Sequence, residues 1–92
     1  MNIVIRDEAA RDLDEIYGWI EKDSPAAAVQ MVRRIRAKIN LLLTPGMADM
    51  GRLGRDEGTR ELIEGPYIVV YEADVGREEI IVLAVFHGAQ DR

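Results

Sequence analysis

The most constraining feature of this sequence is an uninterrupted run of apolar residues near its end, Ile80 to Phe86 (IIVLAVF). Its β-branched and aromatic residues favour a strand, and the lack of polar alternation is typical of a strand buried on both faces. The chain has 92 residues, which is enough for one hydrophobic core. The sequence therefore predicts a single domain over residues 1–92, in which both faces of this strand must be covered.

Two helices are predicted by apolar residues spaced three and four apart. Asp7 is expected to cap the first helix, and Ser24 to cap the second, with Pro25 at its first helical position. The second helix ends at Thr44-Pro45-Gly46. The expected buried positions are Ala10, Leu13, Tyr17 and Ile20 in the first helix, and Ala28, Val32, Ile35, Ile39 and Leu42 in the second.

Four strands are predicted from β-branched and aromatic stretches, at residues 2–6, 59–63, 67–72 and 79–87. Turn residues separate the last three strands, which favours an antiparallel meander. Residues 46–58 contain four glycines and predict a loop. The element order β-α-α-β-β-β predicts an α+β fold, with a helical hairpin packed on one face of a small antiparallel sheet.

A single helical hairpin covers only one face of that sheet, so the second face of the 80–86 strand needs another cover. Either the glycine-rich loop and the C-terminal tail fold over it, or a partner chain does. A chain of this length has little segment to spare, which favours a partner.

The charge distribution limits what that partner is. The net charge is -5, yet residues 24–60 carry seven basic and three acidic residues. An acidic chain does not fit a general nucleic-acid binder, because phosphate neutralisation supplies most non-specific affinity. We expect no sequence-specific nucleic-acid binding, while a local basic patch for an acidic protein segment stays open.

Several classes of protein are disfavoured by what the sequence lacks. With no cysteine and one histidine, we expect no disulfide, no metal site and no cofactor. No apolar run approaches the ~18 residues of a membrane helix, and the start lacks the pattern of a signal peptide. The expected location is the cytoplasm, with no membrane partner.

Polar residues that could converge near the sheet are Arg52, Arg55, Arg60, Tyr67, Tyr71 and His87. The arginines fit either solvated charges, including a surface pair of Arg60 with Glu61, or forks that hold an anion. The histidine could act as a general acid or base, although a lone histidine at a strand end is more often structural. The two tyrosines share a strand face, where core packing is favoured over base stacking.

Three motifs in fixed order carry a resemblance to a known family. They are GRLG followed by GTREL within Gly51–Leu62, YIVVY at Tyr67–Tyr71, and VLAVFHGAQ at Val82–Gln90. With the opening strand, the first helix and the Ser24-Pro25 restart, nearly the whole chain resembles the RelE/ParE superfamily of bacterial toxins. The resemblance implies the toxin of a type II toxin–antitoxin module, silenced by an antitoxin whose C-terminal segment wraps over it. An uncovered sheet face fits that expectation.

Two branches of the superfamily imply different targets. RelE-like members cut messenger RNA on the ribosome, which calls for a basic surface and convergent catalytic groups. Here the only lysines are Lys22 and Lys38, both in the helical region. We therefore favour the ParE-like branch, which implies inhibition of DNA gyrase, a ParD-like antitoxin and no catalytic residues. The alternatives are a RelE-like endoribonuclease using Arg55, Arg60 and His87, and a non-toxic interaction module of the same fold.

On the ParE-like hypothesis the antitoxin-binding residues are expected to be Arg52, Arg55, Arg60, Tyr71 and Val85. The arginines would receive acidic groups of the antitoxin. Its apolar anchors would settle on the hairpin groove and the open sheet face.

Overall fold

The computed structural model describes residues 1–90 and contains two helices and five strands. The elements are β1 (Asn2–Ile5), α1 (Asp7–Glu21), α2 (Pro25–Asn40), a 3₁₀ turn (Leu41–Leu43), β2 (Arg52–Leu53), β3 (Arg60–Glu64), β4 (Tyr67–Asp74) and β5 (Glu79–His87). The strands form one sheet in the order β1-β5-β4-β3-β2. The two helices pack on each other and on one face of this sheet. The predicted α+β fold with a helical hairpin on one sheet face is confirmed.

The sheet is mixed rather than wholly antiparallel. The predicted meander of the last three strands is present, since β3, β4 and β5 pair antiparallel in chain order. β1 instead pairs parallel to β5, from Asn2 opposite Glu79 to Ile5 opposite Val82. Short turns fix the direction of neighbouring strands, but β1 and β5 are joined by most of the chain, so sequence spacing leaves their direction open. The short strand β2 was not predicted, because it lies within the glycine-rich loop.

The start of α2 follows the predicted cap. The Ser24 Oγ accepts a hydrogen bond from the Ala27 N–H at 3.2 Å, and Pro25 is the first helical residue. The prediction that Asp7 caps α1 is wrong, because the N-cap is Arg6 and no side chain caps this end. The Arg6 N–H bonds to the Val82 carbonyl at 3.0 Å and its backbone is extended. The helix begins at Asp7, one residue earlier than a cap at Asp7 would place it.

The buried face of α1 is rotated from the predicted one. Leu13 is buried as expected, but its buried neighbours are Ala9 and Ile16 rather than Ala10 and Tyr17. Both sets have helical spacing, so the sequence pattern allows either. In the structure, Ala9, Leu13 and Ile16 are the residues of α1 that pack into the core.

The core lies between the hairpin and the sheet. Ile35, Ile39 and Leu42 enter it from the second helix and its 3₁₀ turn, and all are at most 1% exposed. From the sheet, the buried side chains alternate along the strands. They are Leu62 in β3, Tyr67, Val69 and Tyr71 in β4, and Ile80, Val82 and Val85 in β5. A register shift at Val70/Tyr71 lets both Val82 and Val85 face the helices.

The last part of β5 is a protected edge. β1 ends opposite Val82, so the following residues of β5 have no strand neighbour on that side within residues 1–90. Two side chains satisfy backbone donors there: the Asp12 Oδ2 accepts from the Val85 N–H at 2.9 Å, and the Gln90 Oε1 accepts from the His87 N–H at 3.0 Å. Such bonds shield an open strand edge from unwanted pairing.

Within residues 1–90, neither helix combines the length and the apolar character that crossing a lipid bilayer requires.

Candidate functional site: the open sheet face

The sheet face opposite the helices forms a groove of about 630 Å³, which we call the open-face groove. Its floor is apolar and partly exposed, and consists of Ile68, Val70, Leu83, Ala84 and Phe86. The glycine-rich loop borders the groove through Arg52 and Arg55, among others. Gln90, which follows β5, also lines the groove. The loop therefore lines this face without sealing it, and an apolar surface stays accessible to a partner.

Two residues of neighbouring strands hold the start of the glycine-rich loop. The Tyr71 hydroxyl donates to the Ala48 carbonyl at 2.8 Å and accepts from the Gly51 N–H at 3.0 Å. Arg60, directly opposite Tyr71 in the sheet, donates from Nη1 to the carbonyls of Asp49 at 3.2 Å and Gly51 at 2.9 Å. These bonds fix the loop where it enters β2.

Glycine is required at position 51 by this close approach. A Cβ there would lie 2.8 Å from the Tyr71 hydroxyl and 2.8 Å from the Glu61 carbonyl oxygen, closer than van der Waals contact allows. The first glycine of the GRLG motif therefore lets the loop backbone approach the buried side chain of Tyr71.

The Tyr71 hydroxyl itself stays protonated over a wide pH range. Burial raises the pKa of Tyr71, because the phenolate would lose solvation, while the hydrogen bond from Gly51 and the charge of Arg60 partly oppose the rise. Tyr71 is 0% exposed and Val85 is 2% exposed, so both side chains lie in the core. Their burial does not favour the predicted direct contact with an antitoxin.

The three arginines of the predicted site have different neighbours. Arg52 pairs across the strands with Glu61, with 2.9 Å between its Nη2 and the carboxylate Oε1. Glu61 thus pairs with Arg52 and not with Arg60, whose guanidinium bonds to loop carbonyls and lies 3.9 Å from the Asp49 carboxylate. Two of the three guanidinium groups are therefore already partnered within the chain.

Arg55 is the exception. It lies in a tight turn in which the Gly54 N–H donates to the Thr59 carbonyl at 2.9 Å, and the Thr59 Oγ1 donates to the Asp56 carbonyl at 2.6 Å. The turn presents Arg55 as an exposed side chain at the border of the open-face groove. Within residues 1–90 its guanidinium has no hydrogen bond or ion pair, so it is the arginine that is free to meet an acidic partner.

The residues of the alternative nuclease site are not brought together. Arg60 lies opposite Tyr71 and His87 opposite Tyr67, and four residues of strand separate those positions by about 13 Å. His87 packs edge-on against the Tyr67 ring at 5.5 Å, and its Nδ1 accepts from the Ala89 N–H at 3.0 Å. Arg55 borders the open-face groove, whereas His87 lines a second groove beside α1.

The part of the chain that the structure describes contains no group of three or more histidine, aspartate and glutamate side chains placed to hold a metal ion.

Residues 3–92 match the family described as the ParE toxin of the type II toxin–antitoxin system parDE. The chain belongs to this ParE toxin family. The resemblance to the RelE/ParE superfamily inferred from the sequence motifs is thereby confirmed.

Individual relatives agree with the family. The chain is 39% identical over 84 residues to protein Y4kP of Sinorhizobium fredii (strain NBRC 101917 / NGR234), whose name proposes that it is a toxin; this covers 89% of the chain and 82% of the relative. The solved chromosomal ParDE toxin–antitoxin system of P. aeruginosa has a chain that matches with a TM-score of 0.80 and 26% identity, over 95% of each chain. A chain of the Mycobacterium tuberculosis toxin–antitoxin complex RelBE2 has a TM-score of 0.60 at 24% identity, over 94% of this chain and 95% of that one, which shows the shared fold.

The sequence predicts an open apolar sheet face but does not identify the individual residues that form its floor. The sequence predicted contacts at Tyr71 and Val85, whereas the partly exposed side chains in the groove of this ParE family member belong to adjacent strand positions, such as Val70 and Phe86. Strand alternation separates the two sets, but it does not tell which set the helices cover.

Proposed function

We propose that this ParE family member is neutralised by a ParD-like antitoxin that lies in the open-face groove. The supporting observation is the accessible apolar floor, bordered by Arg55, whose guanidinium has no hydrogen bond or ion pair within residues 1–90. The solved neighbours are described as parts of toxin–antitoxin systems, which supports a partner of this kind. An antitoxin segment with apolar anchors would cover this floor, and a carboxylate of the segment would pair with the Arg55 guanidinium.

Arg55 gives the sharpest test of this docking. Arg55→Glu should slow association with the antitoxin about tenfold at low ionic strength, because it places a like charge opposite the antitoxin's carboxylate. Arg33→Glu is the matched control, since Arg33 is an exposed arginine of α2 outside the groove. Equal association rates for the two variants in surface plasmon resonance would contradict a role for Arg55. Arg60→Glu is less informative, because it would also release the loop that Arg60 holds.

The proposed target is DNA gyrase, inhibited by binding rather than by cleavage of RNA. Membership of the ParE family supports this choice. The wide separation of His87 from Arg60, and the use of the Arg60 guanidinium by loop carbonyls, favour a binding toxin over a ribosome-dependent nuclease. The net charge of -5 also disfavours docking into ribosomal RNA. The proposed target implies that the toxin acts in the cytoplasm.

A supercoiling assay with purified gyrase tests the target. The chain should block supercoiling of relaxed plasmid, and prior addition of the antitoxin should restore it. Expression of the chain alone in bacteria separates the alternatives. Growth arrest with DNA-damage signalling supports gyrase, arrest with cleaved ribosome-bound messenger RNA supports the RelE-like nuclease, and unimpaired growth supports the non-toxic module.

A further inference from the structure

A second groove, of about 490 Å³, lies between α1 and the end of β5. We call it the Trp19 groove; its lining includes Asp12, Glu15, Trp19, Tyr67, Phe86 and His87. It is distinct from the open-face groove. The two grooves border each other at the end of β5, where Phe86 and Gln90 line both. A polypeptide that covers the open face reaches the Trp19 groove by passing over this strand end.

The helical side of the groove combines an aromatic ring with carboxylates. Asp12, Glu15 and Trp19 follow each other at spacings of three and four residues, so they share one face of α1. Of the residues in the described part of the chain that line the groove, none is a lysine or an arginine. The described lining of this groove is therefore anionic.

Trp19 is exposed to an unusual degree for its type. It is 68% exposed, although tryptophan is a large side chain that gains much from burial. Its ring already attracts a cation, since the Lys22 Nζ lies 5.2 Å from the ring centroid. An exposed indole beside carboxylates is suited to a guanidinium, which stacks on the ring while its N–H groups bond to the carboxylates.

From the shared border of the two grooves at the end of β5, and from the exposed indole beside carboxylates of α1, we infer that the Trp19 groove binds an arginine side chain of the polypeptide that covers the open face. This inference rests on the proposed function in one respect, namely that this polypeptide is the antitoxin. The bound segment then has a defined polarity: a carboxylate at Arg55, apolar side chains along the sheet, and an arginine at Trp19.

The groove can be tested without the antitoxin, using N-acetyl-arginine methylamide as the probe and N-acetyl-citrulline methylamide as its neutral analogue. Trp19 is the single tryptophan of the chain, so its fluorescence reports on this groove alone. The arginine probe should bind saturably with a dissociation constant on the order of millimolar, and the citrulline analogue should bind about tenfold more weakly. Equal responses to the two probes, or no saturable response to arginine, would overturn the inference.

Two variants separate a local contact from general electrostatics. Glu15→Gln should weaken the arginine probe about fivefold to tenfold, because it removes the carboxylate beside the indole. Glu21→Gln removes the same charge from an exposed position of α1 outside the groove and should leave binding unchanged. Equal weakening by both variants would overturn the assignment to this groove. Neither result depends on toxicity, gyrase or the antitoxin, so failure here is distinguishable from failure of the proposed function.

Discussion

Replacing Tyr71 by phenylalanine removes one hydroxyl and two hydrogen bonds at the base of the glycine-rich loop. The Gly51 N–H and the Ala48 carbonyl then lose their partner. Each such bond contributes about 0.5–1.5 kcal/mol net, so we expect the free energy of unfolding to fall by about 2 kcal/mol. For a chain of this size that corresponds to a melting temperature lower by roughly 10 °C.

The assay is urea denaturation of wild type and variant, followed by circular dichroism, with Tyr67→Phe as the control. Tyr67 is also buried, at 6% exposure, but its hydroxyl has no hydrogen bond within residues 1–90. We expect this control to cost less than about 0.5 kcal/mol. Faster amide exchange at Gly51 should accompany the Tyr71 variant alone. Equal destabilisation by the two variants would refute the assignment of Tyr71 as the residue that holds the loop.

Three further predictions follow from particular contacts. Burial raises the pKa of Tyr71 above its unfolded value of 10.0. The contribution of the Tyr71 hydroxyl to the free energy of unfolding is therefore complete below pH 10 and is lost as the pH rises through the folded pKa. Tyr71→Phe should flatten the alkaline fall in stability measured by denaturation. Gly51→Ala should destabilise by about 1–3 kcal/mol through overpacking, whereas Gly18→Ala, where a Cβ meets nothing within 4 Å, should stabilise α1 by up to about 1 kcal/mol. Ser24→Ala should cost about 1 kcal/mol in thermal unfolding, because the Ala27 N–H loses its cap.

Local chemistry made several elements predictable from sequence. The Ser24-Pro25 pair supplies both a cap and a residue suited to the first helical position, and the helix begins there. The apolar run of β5 predicts a strand with both faces apolar, and the structure places Val82 and Val85 in the core and Leu83, Ala84 and Phe86 on the floor of the open-face groove. Such features depend on residues close together in sequence.

The details of the site depended on contacts between distant segments. The pairing of Arg52 with Glu61 requires the two-residue strand β2, which glycine-rich sequence does not reveal. The placement of Tyr71 in the core requires knowing which sheet face the hairpin covers. That Arg55 has no hydrogen bond or ion pair within residues 1–90 is known only from the structure. The residue type alone predicts the same role for all three arginines, whereas the structure gives each one different neighbours.

The central claim is that an antitoxin lies on the outward-facing side chains of β4 and β5. Methyl NMR with a dissolved gadolinium chelate measures this directly, because the chelate relaxes exposed methyl groups. On addition of the antitoxin, relaxation at Ile68, Val70 and Leu83 should fall severalfold, while Val75, 78% exposed in the β4–β5 turn, should stay relaxed. If a complex forms and the groove methyl groups remain as accessible as in the free chain, the antitoxin binds elsewhere and the claim is wrong.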